Sequence, residues 1–113
     1  KGLNMLYGPG NDLVSATAMT AAGAHLILFS TGRGTPTGNP ITPVIKITGN
    51  RLTFAKMEDN IDVDASPIIY GGDLKTMGDE LLKLVAEVAS GRQTKAEALG
   101  FTEMAIARVC NFV

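Results

Sequence analysis

Thr31-Gly32-Arg33-Gly34-Thr35 directly follows the apolar run Leu26-Ile27-Leu28-Phe29. A guanidinium presents a planar fork of donors that grips a carboxylate or phosphate through two parallel bonds. Glycines on either side free the backbone for φ > 0 and for close approach to a ligand. Thr31 and Thr35 add hydroxyls that both donate and accept. Residue types and spacing thus point to an anion site in which Thr31, Gly32, Arg33, Gly34 and Thr35 bind the substrate. The plain alternative is a solvated arginine in a flexible loop.

Other side chains offer chemistry too. Asn11 ends a second glycine loop, Gly8-Pro9-Gly10-Asn11, and is a further substrate-binding candidate. Lys46 interrupts Val44-Ile45-Lys46-Ile47, so it faces away from Ile45 and Ile47. It is the candidate catalytic residue; the alternative is a lysine that guards an edge strand against aggregation. His25 has a suitable pKa for a general base but stands at the beginning of its strand, away from the expected site. Asp62 and Asp64 would project to one side of an extended segment and could face a hard cation. A calcium loop is excluded, because Pro67 stands where glycine is needed and Asp73 where a bidentate Glu belongs. A solvated acidic turn is the simpler reading.

Neither glycine loop is a nucleotide fingerprint. Leu13 and Thr37 occupy the positions of the third glycine, and no Gly-Lys-Ser/Thr ending follows, so no nucleotide cofactor is expected.

The elements that must position these groups alternate. Residues 3–7 read as a first strand, and Asn11 or Asp12 caps a helix that runs to about Ala22 with Val14, Ala18, Ala21 and Ala22 inward. Residues 25–29 form a strand, which would complete a right-handed βαβ unit. Residues 31–43 are loop, and a loop of that length is usually functional. Val44 to Thr48 is a third strand. Gly49-Asn50 then signals either a hairpin or an Asn50-capped helix over 51–57. Residues 61–65 are briefly extended. Asp73 caps the clearest helix, with Leu74, Met77, Leu81, Leu84, Val85 and Val88 at helical spacing and Asp79 placed to pair with Lys83. Thr94-Lys95-Ala96-Glu97 is a capping box for a short last helix stopped by Gly100. Residues 104–113 are a strand or an arm onto a neighbouring domain. The pattern predicts an α/β fold: a Rossmann-like layered domain with a small, mostly parallel sheet flanked by helices. Both glycine loops would then lie on the rim where ligands bind in such sheets.

Size allows one domain: 113 residues, 45% of them hydrophobic, with a net charge of −1. With no basic face and few aromatics, nucleic acid is not an expected partner. No apolar stretch approaches a membrane span. Cys110 is the single cysteine, which excludes an internal disulfide and favours a cytoplasmic setting. In its apolar context it reads as packing.

Several blocks in fixed order carry a resemblance: Pro9-Gly10-Asn11-Asp12, Ala22-Gly23-Ala24, Phe29-Ser30-Thr31-Gly32-Arg33-Gly34, Pro43, Ile45-Lys46, Asn50 and Asp62. The chain resembles the C-terminal part of the galactarate dehydratase/altronate dehydratase family up to about Gly91. The resemblance favours the helix over the hairpin after Asn50. It implies a hydro-lyase that dehydrates a sugar acid such as altronate or galactarate to a 3-deoxy-2-keto acid. It also implies iron(II) or manganese(II) in the full-length enzyme, with ligands that the sequence does not reveal. Further domains would precede this one, so residues 1–113 would be the C-terminal domain of a longer polypeptide, inactive alone. Expected partners are the sugar acid, the remainder of that polypeptide and, optionally, a second copy. Asp64 and Ser66 depart from the family's usual Asn and Gly, which leaves the substrate open. Family members that split carbon–sulfur bonds, as in sulfolactate breakdown, are one rival. A structural or dimerisation domain is the other.

Overall fold

The computed structural model describes residues 2–8 and 10–106. Pro9, Cys110 and the end of the 104–113 tail lie outside them.

Helix α1 (Asp12–Ala21) starts where the Asn11 side chain accepts the Val14 N–H at 3.4 Å. It ends at Ala22, and Gly23 turns the chain at φ 97°. Its inward stripe is Ala16 and Met19, which pack with Ala24, Ile27, Phe29 and Val44 as the core. Ala21 and Ala22 are exposed, contrary to expectation. Methionine carries far more apolar area than alanine, so Met19 decides which side faces in.

Strand β1 (Ile27–Ser30) begins two residues later than the sequence suggested, leaving His25 exposed ahead of it. β2 (Val44–Thr48) lies between β1 and β3 (Val63–Asp64), and both pairings are parallel. Ile27 registers with Val44, Phe29 with Lys46, and Ile47 with Val63. The result is a small α/β domain with an open, three-stranded parallel sheet. β2 is buried along nearly its whole length, as a central strand should be.

The expected strand at residues 3–7 does not form. That segment is irregular, with Leu3 94% and Tyr7 99% exposed. A strand needs a partner ladder, and among the described residues this one has none. The βαβ unit is therefore incomplete. β1 reaches β2 through the 31–43 loop alone.

Helix α2 (Arg51–Lys56) follows β2, because the Asn50 side chain accepts from Leu52 N at 3.0 Å and Thr53 N at 3.3 Å. The helix prevails over the hairpin. A 3-10 helix at Ser66–Tyr70, opened by Pro67, is the one element the sequence reading missed. α3 (Leu74–Ala89) starts at its Asp73 cap, and Gly91 turns away beyond its end at φ 106°. Asp79 pairs with Lys75 at 2.7 Å rather than with Lys83. Both spacings are four residues, and one carboxylate serves one of them here. α4 (Lys95–Ala98) carries the full Thr94/Glu97 capping box. No helix among the described residues is long and apolar enough to cross a membrane.

Candidate substrate-binding site

The Arg33 turn stands at the carboxyl end of β1, and local chemistry fixes its shape. Thr31 N–H still donates to the Ile47 carbonyl at 2.9 Å, continuing the ladder for one residue. Its Oγ1 then accepts the Gly34 N–H at 3.0 Å, closing a tight turn around Gly32 and Arg33. Gly34 has φ 86°, a conformation that glycine adopts without strain. Gly32 does not need it, since only Gly34 of the pair has positive φ. From the far side, Thr53 Oγ1 donates to the Gly32 carbonyl at 2.9 Å and Asn50 Nδ2 at 3.3 Å. The start of α2 thus straps the turn to the end of β2.

Arg33 itself is exposed, and it forms no ion pair among the described residues. Beside it lies an open depression of about 340 Å³ lined by Ser30, Thr31, Gly32, Ile47, Gly49 and Asn50. This is the rim at which open parallel sheets bind ligands. Chemically the place offers the Ser30 hydroxyl and a hydrogen-bonded turn, with the exposed Arg33 next to it in sequence. A guanidinium suits a carboxylate or phosphate.

Of the expected site residues, Thr31 and Gly32 line the depression, while Arg33 and Gly34 share their turn without being among its lining residues. Thr35 does not join them as a ligand: it is 5% exposed, and its hydroxyl bonds Thr37 Oγ1 at 2.9 Å. Asn11 uses its oxygen on the cap of α1, and without a strand at residues 3–7 its place on a shared rim loses its basis. Lys46 is wholly buried on the central strand, so it is no edge guard. Its Nζ donates to the Pro36 carbonyl at 3.1 Å, beneath the loop rather than in the depression. Burial pushes its pKa below 10.5, the Asp62 carboxylate partly restores it, and Lys95 lowers it again. Asn50, Ser30, Ile47 and Gly49 had gone unassigned to the site. The rule that ligands sit beyond carboxyl ends applies to β2 as much as to β1, and would have found them.

The acidic segment serves structure. Asp62 accepts the Lys46 N–H and the Lys95 N–H, each at 2.8 Å, and Asp64 accepts the Ser66 N–H at 2.9 Å. Among the described residues no three His, Cys, Asp or Glu side chains gather as metal ligands. These carboxylates already hold backbone amides, so the donor set does not fit a catalytic divalent cation.

The family described as D-galactarate/Altronate dehydratase, C-terminal, matches residues 1–111. Altronate dehydratase of Escherichia coli (strain K12) is 44% identical over 93% of the chain and 21% of its own length. The (2R)-sulfolactate sulfo-lyase subunit beta of Chromohalobacter salexigens is 40% identical over 87% of the chain and 25% of its own. Galactarate dehydratase (L-threo-forming) of E. coli K12 is 33% identical over 82% and 18%. The chain thus spans between 18% and 25% of these relatives' lengths. Its matched span leaves no doubt of kinship: the chain belongs to the D-galactarate/altronate dehydratase C-terminal family.

Proposed function

We propose that the chain is the C-terminal part of a hydro-lyase that dehydrates a sugar acid of the altronate or galactarate type to a 3-deoxy-2-keto acid. One observation carries this: an unpaired guanidinium on a strapped turn at the carboxyl ends of β1 and β2, in a chain whose relatives include altronate and galactarate dehydratases.

The reaction removes a proton next to a carboxylate, and the developing dianionic enolate needs fixed positive charge. Arg33 holds the acid head through its fork, Thr31 and Asn50 keep the turn closed, and Ser30 faces the substrate hydroxyls. Neither Lys46 nor His25 stands ready as the base, because Lys46 is hydrogen-bonded to Pro36 and His25 precedes the amino end of β1. The base belongs to the remainder of the polypeptide. So does any iron(II) or manganese(II), since this chain's acids do not suit one. A cytoplasmic setting accords with a small-acid metabolic step.

A second reading has its own support: the 40% identical relative is named as a carbon–sulfur lyase subunit. The intact polypeptide, supplied with divalent metal, is assayed on altronate, galactarate and sulfolactate. A 2-keto acid from a sugar acid, without sulfite, is the expected product. Sulfite from sulfolactate alone would transfer the assignment to the second reading.

A further inference from the structure

Contacts on both limbs hold the 31–43 loop. On the first, Thr53 and Asn50 seize the Gly32 carbonyl. On the second, Thr35 and Thr37 share their buried hydroxyl bond. Gly38 then sits so close to α4 that an added Cβ would stand 2.6 Å from the Ala96 Cβ. Within this second limb, between Thr35 and Thr37, stands Pro36, which has no N–H and can accept a tie to the sheet only through its carbonyl. Lys46 Nζ provides that tie at 3.1 Å.

Lys46 is a costly way to make one hydrogen bond. It is 0% exposed, registers beside Phe29 and alternates onto the same face as Val44, within the small core of the sheet. A methionine would fill similar space without burying an ammonium, at the cost of the bond to the Pro36 carbonyl. A cation kept there is therefore better explained by what it holds than by what it adds to stability. Only Gly34 and Thr35 separate Arg33 from Pro36. Thr35 is buried and Gly34 is tied to Thr31, so the stretch from the hooked carbonyl to Arg33 is short and anchored at both intervening residues.

We propose that Lys46 is a positioning residue: hooked on the Pro36 carbonyl, it sets the height of the Arg33 turn over the carboxyl ends of β1 and β2. The proposal rests on the assignment of Arg33 to substrate binding.

The test compares Lys46→Met with the unaltered intact polypeptide. Amide hydrogen exchange is read at Gly34, whose N–H reports the turn, and at Leu84 and Val85 in α3 as distant references. Loosening confined to the turn gives about ten-fold or more faster exchange at Gly34 with the α3 amides unchanged. Equal acceleration at all three amides marks a merely structural role and overturns the proposal. In the sugar-acid assay KM rises about ten-fold while kcat changes less than about three-fold, the mark of lost positioning of a binding group. Unchanged exchange at Gly34 overturns the proposal even where Arg33→Lys is defective. Normal kinetics for Arg33→Lys removes the substrate assignment, and the positioning role falls with it. Should Lys46→Met fail to fold, nitrogen-15 spectra of the unaltered protein decide. Slowly exchanging Lys46 Nζ protons coupled to the Pro36 carbonyl carbon support the hook; freely exchanging ones overturn it.

Discussion

Asp62 joins Lys46 to Lys95 without touching either ammonium: one carboxylate oxygen accepts the Lys46 backbone N–H and the other accepts that of Lys95, each at 2.8 Å. This single side chain fastens the middle of β2 to the first turn of α4. Lys95 completes the junction by donating its Nζ to the Ile61 carbonyl at 2.8 Å, one residue before Asp62.

Asp62→Asn should therefore cost about 1–3 kcal/mol, because an amide has one acceptor oxygen and would turn its NH₂ toward a backbone donor. The fall in the urea midpoint at constant slope measures it.

The two glycines of the turn should behave differently. Gly34→Ala places a side chain at φ 86° and toward Met57, so a loss of about 1–2 kcal/mol is expected. Gly32→Ala meets open space and ordinary φ, so stability should change by less than about 0.5 kcal/mol. Thermal or urea unfolding of the pair checks the contrast.

Asn50→Ala removes both the cap of α2 and one strap on the Gly32 carbonyl. Loss of the cap costs about 0.5–2 kcal/mol. The weakened strap should also reduce binding of a sugar acid, read as a higher KM with little change in kcat.

pH dependence should show two limbs, one alkaline and one acid, and in each of them stability rises with pH. The Lys46 pKa is held below 10.5, so the folded state binds this proton less well than the unfolded chain does. Its penalty is full below the lowered value and is relieved as pH climbs toward 10.5. The stability gap between wild type and Lys46→Met should shift in favour of wild type over that range. Asp73 is depressed below 3.8, first by the Thr76 hydroxyl and then by backbone N–H groups. Its contribution is present above 3.8 and disappears as pH falls through the lowered value. Asp73→Ala should lack that acid limb, which denaturation at stepped pH would reveal.

Local chemistry was readable from the sequence, and distant partnership was not. The caps at Asn11, Asp73 and Thr94 each join residues three positions apart, so their side chains alone announced the helices. The Arg33 turn was legible for the same reason: an apolar strand opening into Gly-Arg-Gly already implies an exposed guanidinium at a strand end. Residues 3–7 have strand-like composition, yet a strand exists only where another pairs with it. The depth of Lys46 depends on β1 and β3 flanking β2. Thr35 turned inward because Thr37 competes for its hydroxyl, which no spacing rule reveals.

Kinetics of Arg33→Lys in the intact, metal-supplied polypeptide test the anion-gripping role most directly. Lysine keeps the charge but loses the planar fork, so kcat/KM for altronate or galactarate should fall at least about ten-fold with the fold intact. Catalytic efficiency equal to the unaltered enzyme on every accepted acid would contradict it.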